Sequence, residues 1–246
     1  MVLGTLFGTL PKITSLQFKN LSFAYEGHDS LFQNVEFDFP TNEIVWVKAD
    51  SGSGRSSLLQ LMAGLQMPSK GSYFINEHNV TEMTFEEFLP YRLAIGYSFD
   101  FGGLINNRTL MENCTLALLY HKICSHHEAD DKVKYFFDKM GVSKHLDKRP
   151  ALVPGGVRKL TCLLRALILE PQMLLLDDPS VGLGQDTILK YFDLINDLRR
   201  QGRAKHVFIS SFDDKLMGLL DHREIFIEEG QLHKHPDEFE KKVVNL

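Results

Sequence analysis

A short apolar run, Ile44-Val45-Trp46-Val47, leads straight into Lys48-Ala49-Asp50-Ser51-Gly52-Ser53-Gly54-Arg55-Ser56-Ser57. A helical pattern carried by Leu58, Leu59, Leu61, Met62 and Leu65 follows at once. Strand, glycine-rich loop and helix in that order restrict the fold more than any other stretch. The glycines let backbone N–H groups turn inward, and the new helix aims its positive end at an anion, which makes a phosphate cradle. The segment departs from the pattern G-x-x-x-x-G-K-[ST], with Ala49 at the first Gly and Arg55 at the Lys. Gly52, Gly54 and Ser56 keep their order. Residues 50–57 are therefore the candidate nucleotide-binding loop, with Arg55 set against phosphate charge and Ser56 as a ligand for Mg²⁺. The other reading of the same residues is a glycine-rich turn that enters a helix.

The chain has 246 residues, 43% of them hydrophobic and 24% charged, which supports a proper core and argues against disorder. A net charge of −5 argues against nucleic acid as the main partner. Cys114, Cys124 and Cys162 have no metal-like spacing and are odd in number, as expected of reduced thiols. No apolar run approaches the roughly 18 residues that span a bilayer. Met1–Leu10 lacks the basic start of a signal peptide. A cytoplasmic protein is expected, held at the inner face of the membrane only through a partner.

Leu16–Lys19, Leu21–Tyr25 and Val35–Phe39 alternate apolar and polar, as strands solvated on one face do. Ile44–Val47, Met173–Leu176 and His206–Ser210 are apolar throughout, as buried parallel strands are. Tyr73–Ile75 and Ile95–Phe99 are further short strands, and Glu224–Leu232 reads as a hairpin around Glu229-Gly230. Leu104 to about Pro150 reads as a helical insertion. Leu110, Cys114, Leu118 and Lys122 share one helical line. Ser125-His126-His127-Glu128 is a capping box that opens a helix closed by Gly141. Another helix starts at Pro154-Gly155-Gly156, and Asp186–Arg200 is amphipathic.

Asp177 stands at the end of a buried strand, where P-loop NTPases hold Mg²⁺ with a carboxylate. Tyr25, in a turn after a strand, is a candidate to stack on an adenine ring, although a rim aromatic is the commoner role. The cluster His121–His127 matches no standard metal spacing. The tail Asp237–Lys242 reads as a solvated helix end.

Taken in order, these segments resemble the ATP-binding subunit of ABC transporters, from about Leu16 to Leu232. Val153-Pro154-Gly155-Gly156-Val157 stands where that family carries Leu-Ser-Gly-Gly-Gln. Arg165-Ala166-Leu167, Pro171 and Leu174-Leu175-Leu176-Asp177-Asp178-Pro179-Ser180-Val181-Gly182-Leu183 follow the family pattern closely. Ile95–Leu104 is similar to the loop that senses nucleotide and faces the membrane partner. The resemblance implies an α/β P-loop NTPase fold of the ABC nucleotide-binding type. It would be a single domain over 1–246 with a mixed parallel sheet, an antiparallel β subdomain, a helical subdomain at about 104–165 and a C-terminal tail at 233–246. It implies ATP and Mg²⁺ as cofactors, with Ser56 and Asp177 on the metal and Tyr25 on the adenine.

The departures touch the chemistry. Arg55 replaces the loop Lys, and a planar fork is not a compact point charge. Asp100 stands for the loop Gln, where an uncompensated carboxylate repels phosphate. Pro154 removes the signature hydroxyl and a backbone N–H, and Val157 removes the signature Gln. Asp178 shortens the expected Glu by about 1.5 Å. Ser211 stands for the switch His, and Gly184 for a later Asp. By resemblance, Asp178, Ser211 and Asp100 are the altered equivalents of catalytic groups, and hydrolysis is expected to be weak or absent.

Two such subunits pair head to tail in the family, so the expected partners are an integral membrane permease and a second ABC ATPase subunit, identical or intact. The segment Phe101–Ile105 and Pro179–Gly182 resemble Mla/Mce-type bacterial lipid transporters, with the FtsE and lipoprotein-release type near by. Three readings stand: a slow energising ATPase, a non-catalytic scaffold or regulatory subunit, and, last, a soluble ABC protein of repair or translation.

Overall fold

The computed structural model describes residues 10–100 and 103–234. Phe101 and Gly102 of the sensor-like loop, and the tail beyond Lys234 with its expected helix end, lie outside the described residues.

In chain order the elements begin with β1 (Leu16–Ala24), β2 (Ser30–Asp38), β3 (Ile44–Ala49), α1 (Arg55–Met62), β4 (Lys70–Ile75), β5 (His78–Asn79) and α2 (Phe85–Leu93). Then come β6 (Ile95–Ser98), α3 (Leu110–Tyr120), α4 (His126–Lys139), α5 (Gly155–Leu167), β7 (Met173–Asp177) and α6 (Gln185–Arg200). The chain closes with β8 (His206–Ser210), α7 (Asp214–Met217), β9 (Arg223–Glu228) and β10 (Gln231–Lys234). The contacts divide the described residues into two compact units, one of residues 13–88 and 206–234, the other of residues 10–12 and 89–205.

The first unit holds an antiparallel sheet in the order β2-β1-β4-β5 and a mixed array in the order β10-β9-β3-β8. β3 runs parallel to both β8 and β9, and it is buried on both faces from Ile44 to Val47. That is why its sequence is continuously apolar. The two runs expected at Leu16–Lys19 and Leu21–Tyr25 form one strand. Asn20, at φ +48°, inserts a bulge that shifts the alternation by one residue, so Phe18 and Leu21 are both buried. Phe39 joins the layers, edge-on to Phe18 at 4.8 Å and to Phe208 of β8 at 5.8 Å.

The second unit pairs β6 with β7 in parallel, from Ile95 beside Met173 to Ser98 beside Leu176. Helices α3 to α5 occupy the insertion. The Ser125/Glu128 capping box forms as expected, and Thr109/Glu112 makes a second one at the start of α3. Lys122 does not continue α3. The helix ends at Tyr120, and Lys122 turns left-handed at φ +51°. Tyr191 of α6 is fully buried and donates its hydroxyl to the carbonyl of Leu163 in α5, at 3.0 Å.

Helix α5 approaches β6 backbone to backbone at Gly96. A Cβ there would lie 2.1 Å from the carbonyl oxygen of Ala166 and 3.0 Å from the Cγ of Pro171. Neither atom is the free end of a flexible side chain. Overpacking of this kind typically costs about 1–3 kcal/mol. Gly96→Ala should therefore lower the thermal midpoint by roughly 2–12 °C for a chain of this size, as read by circular dichroism. An unchanged midpoint would mean that α5 can ride away from β6.

Candidate functional site

The candidate residues divide between the two units. In the first, the end of β3 passes into a loop whose backbone turns on two glycines. Gly52 sits at φ +84° and Gly54 at φ +97°, conformations that other L-residues rarely adopt. Asp50 accepts from the N–H of Ser53 at 3.1 Å, which closes the turn. Gly54 is the N-cap of α1 and offers no side-chain cap, and the first turn carries no acidic residue. The helix therefore begins with its N–H groups uncapped by any side chain, the arrangement that receives an anion. A Cβ on Gly54 would meet the Phe32 ring at 3.1 Å, so the loop is also tight from beneath.

Tyr25 is brought to the same helix. Its hydroxyl lies 3.0 Å from the Oγ of Ser57 and donates to the Oε1 of Gln60 at 3.3 Å, while its ring meets Phe23 edge-on at 4.9 Å. Those bonds orient a ring that stays 38% exposed, as a stacking platform must. Lys48, just before the loop, is engaged elsewhere, with Glu224 at 3.2 Å and over the Trp46 ring at 4.0 Å. The cation at the loop is Arg55. It is buried, and its Cζ lies 3.3 Å from the centroid of the Phe212 ring.

Phe212 is one of two residues that sequence reasoning missed, with Lys159 of the second unit. Ser211 was expected at the switch position, but its side chain serves the turn after β8. It is 2% exposed, its Oγ accepts from the N–H of Asp213 at 3.0 Å, and its carbonyl accepts from Trp46 Nε1 at 3.0 Å. The side chain that reaches Arg55 is the next one. No local pattern announces this, because the contact joins the exits of two strands far apart in the chain.

In the second unit, β6 and β7 end side by side, and Lys159 of α5 is buried at their exits. Its ammonium donates to the carbonyls of Asp100 at 2.9 Å, Phe99 at 3.3 Å and Asp177 at 3.3 Å, and it lies 3.6 Å from the Asp100 carboxylate. Three carbonyls take its three protons. Burial pushes its pKa below the usual lysine range, and the Asp100 carboxylate opposes that shift. Asp100 is thus charge-compensated, contrary to the repulsion that its sequence position alone suggests.

Asp177 is buried at the end of β7, and Asp178 follows in the left-handed region at φ +41°. Asp is enriched in this region of backbone space, although Glu170 and Glu229 adopt it here as well. The signature-like Val153–Val157 opens α5. Pro154 is an N-cap without a side-chain bond, and Arg158 donates to the carbonyl of Val153 at 3.0 Å. Gly156 packs so closely that a Cβ would lie 3.2 Å from the carbonyl of Gly182. Gly184 caps α6 with no side chain, and Gly at an N-cap costs only a few tenths of a kcal/mol against Asp.

Ser56 exposes a hydroxyl in the first turn of α1, and Asp177 supplies a carboxylate. Each, within its own unit, is a hard oxygen donor of the kind that Mg²⁺ takes. The described residues contain no cluster of three or more His, Cys, Asp or Glu that could hold a metal ion. Among the described residues no helix is long and apolar enough to cross a membrane.

A family model described as ABC transporter matches residues 32–181. The cell division ATP-binding protein FtsE of Haemophilus influenzae is 28% identical over 220 residues, spanning 88% of this chain and 99% of that protein. The lipoprotein-releasing system ATP-binding protein LolD of Acinetobacter baylyi is 27% identical over 172 residues, 70% of this chain and 75% of that one. A solved dimer of the ATP-binding cassette MJ0796 bound to ADP and Pi superposes with a TM-score of 0.80 at 24% identity, covering 89% of this chain and 98% of that one.

Lys159 provides a direct test of the second unit. Lys159→Met strands the Asp100 carboxylate and three carbonyls. A loss on the order of 3 kcal/mol is expected, roughly 6–12 °C in thermal midpoint. Adding Asp100→Asn should recover part of it, because the two residues couple. Strict additivity in that double-mutant cycle would refute the pairing.

Proposed function

The chain belongs to the ABC transporter family, and from that premise we propose that it is an ATP-binding transporter subunit that holds Mg-ATP but hydrolyses it slowly or not at all. The observation that carries the reading is a contrast within the site. The phosphate cradle keeps its backbone, with Gly52 and Gly54 left-handed and α1 uncapped by side chains. The polar groups that would act on the γ-phosphate and the attacking water are altered at Arg55, Asp100, Pro154, Val157, Asp178 and Ser211.

The chemistry that remains divides among named residues. Backbone N–H groups from Ser51 to Ser57 and the Arg55 guanidinium hold the phosphates. Tyr25 stacks on the base. Ser56 and Asp177 would hold Mg²⁺, which would supply positive charge against the phosphates. Asp178 is left to orient water from about 1.5 Å further back than a Glu. An acid–base group out of place costs roughly 10²–10⁴ in rate, and losses within one catalytic unit do not simply add.

The subunit works with an integral membrane permease and a second ABC ATPase subunit, at the inner face of the membrane. Similarity to a protein named for lipoprotein release supports a bacterial lipid or lipoprotein cargo, and Phe101–Ile105 with Pro179–Gly182 suggest the Mla/Mce type within that class. A heterodimer with an intact subunit is favoured, because in a homodimer both sites would be impaired. The scaffold reading differs only in turnover.

Mg-ATP should bind the purified chain, with a turnover of about 10⁻³–10⁻¹ per second, set against a typical enzyme value of about 10 per second. A turnover near the typical value would refute the altered-site reading, and absence of Mg-ATP binding would refute the nucleotide role. Tyr25→Ala should weaken ATP by about 5-fold or more and leave inorganic pyrophosphate unaffected, whereas Tyr25→Phe should keep ATP binding near normal. Equal losses for both ligands would place Tyr25 in the fold rather than on the base.

A further inference from the structure

We propose that Phe212 is the positioning residue for Arg55, and that the two side chains form one phosphate-binding device. The inference rests on the nucleotide reading above and deepens it. With Cζ 3.3 Å from the ring centroid, the guanidinium must lie flat on the ring, since that distance is the contact thickness of two stacked planes. One face is thereby covered, and the N–H donors of the fork radiate along its edge. An arginine held this way meets a polyphosphate through paired in-plane bonds.

The ring is held for this use. Phe212 is 58% exposed, yet the backbone on both sides of it is tied down. Before it, the Ser211 carbonyl accepts from Trp46 of β3 at 3.0 Å. After it, Asp213 donates its N–H to Ser211 Oγ and accepts from the N–H of Leu216 at the start of α7, both at 3.0 Å. An exposed phenylalanine in a turn braced on each side serves no core. Its partner Arg55, by contrast, is 8% exposed and opens α1 directly after the left-handed Gly54. The arginine is thus held against the ring at the start of α1 rather than swinging on its long stem.

Arg55 and Phe212 are therefore one exchange rather than two losses. A lysine at 55 would bring back the point charge but lose the flat stack and the fork. The pair selects ligands with two adjacent phosphate oxygens, and the expected ligand class is a nucleoside di- or triphosphate.

The test is binding of Mg-ATP and of inorganic pyrophosphate to the full chain and to Phe212→Leu, Phe212→Tyr, Arg55→Lys and the double variant Arg55→Lys/Phe212→Leu, with thermal midpoints measured alongside. Phe212→Leu should weaken both ligands about 3- to 30-fold without a matching fall in midpoint, the range set by cation–π strengths. Phe212→Tyr should bind nearly as the parent does. Arg55→Lys should weaken binding, and the double variant should be no worse than the weaker single variant. Phe212→Leu binding as tightly as the parent, or more tightly, would overturn the proposal. In the second case the ring would be sequestering the arginine. If the parent binds neither ligand, both this proposal and the nucleotide reading fall. If the parent binds and only the Phe212 variants are indifferent, this one alone falls.

Discussion

The parallel pairing of β3 with β8 is the constraint on which the phosphate-facing part of the molecule depends. Ile44 to Val47 run beside Val207 to Ser210 in the same direction, so both strands deliver their carboxyl ends at one edge. The loop that follows one and the turn that follows the other are then neighbours by geometry, as at the carboxyl edge of any open parallel array. Trp46 pins the turn by donating to Ser211, and Arg55 meets Phe212 as a result. An antiparallel pairing would have sent the two exits to opposite edges and kept Phe212 away from Arg55.

Altered residues that look like separate losses along the chain become pairs in the fold. Asp100 alone is an acid where phosphate chemistry disfavours one. With Lys159 buried 3.6 Å away and bonded to the backbone of both strand exits, it is a compensated charge. Arg55 alone is a poor substitute for a lysine, but stacked on Phe212 it is a pre-oriented fork. Pro154 caps α5 with no side-chain bond, and Val157 engages Thr161 only through its carbonyl among the bonds described. The altered positions thus differ in their surroundings: Arg55 has an aromatic ring against it and Asp100 a buried ammonium, whereas Pro154 has no side-chain bond at its cap.

The backbone sets limits on which groups could be restored. Asp178 occupies a left-handed conformation that suits a short polar side chain, and Gly156 faces a carbonyl at close range. These positions are governed by local geometry as much as by chemistry.

Much was legible in one dimension. The apolar runs of β3, β7 and β8, the glycine pair before α1 and the Ser125/Glu128 cap are local patterns with local causes, namely burial on both faces, a turn that only glycine makes cheaply, and reciprocal bonds to orphan N–H groups. The family followed from their order. Local reading slipped where the alternation itself slips, at the Asn20 bulge, and where a helical line outlasts its helix, at Lys122. It could not find Phe212 or Lys159. An exposed phenylalanine in a turn and a lysine on an amphipathic helix carry no signal until distant strands are paired and their exits brought together. The sequence by itself determined the elements, the family and the list of altered groups. Only the tertiary structure decided which altered groups have partners, because a buried ammonium and a stacked guanidinium are defined by neighbours remote in the chain.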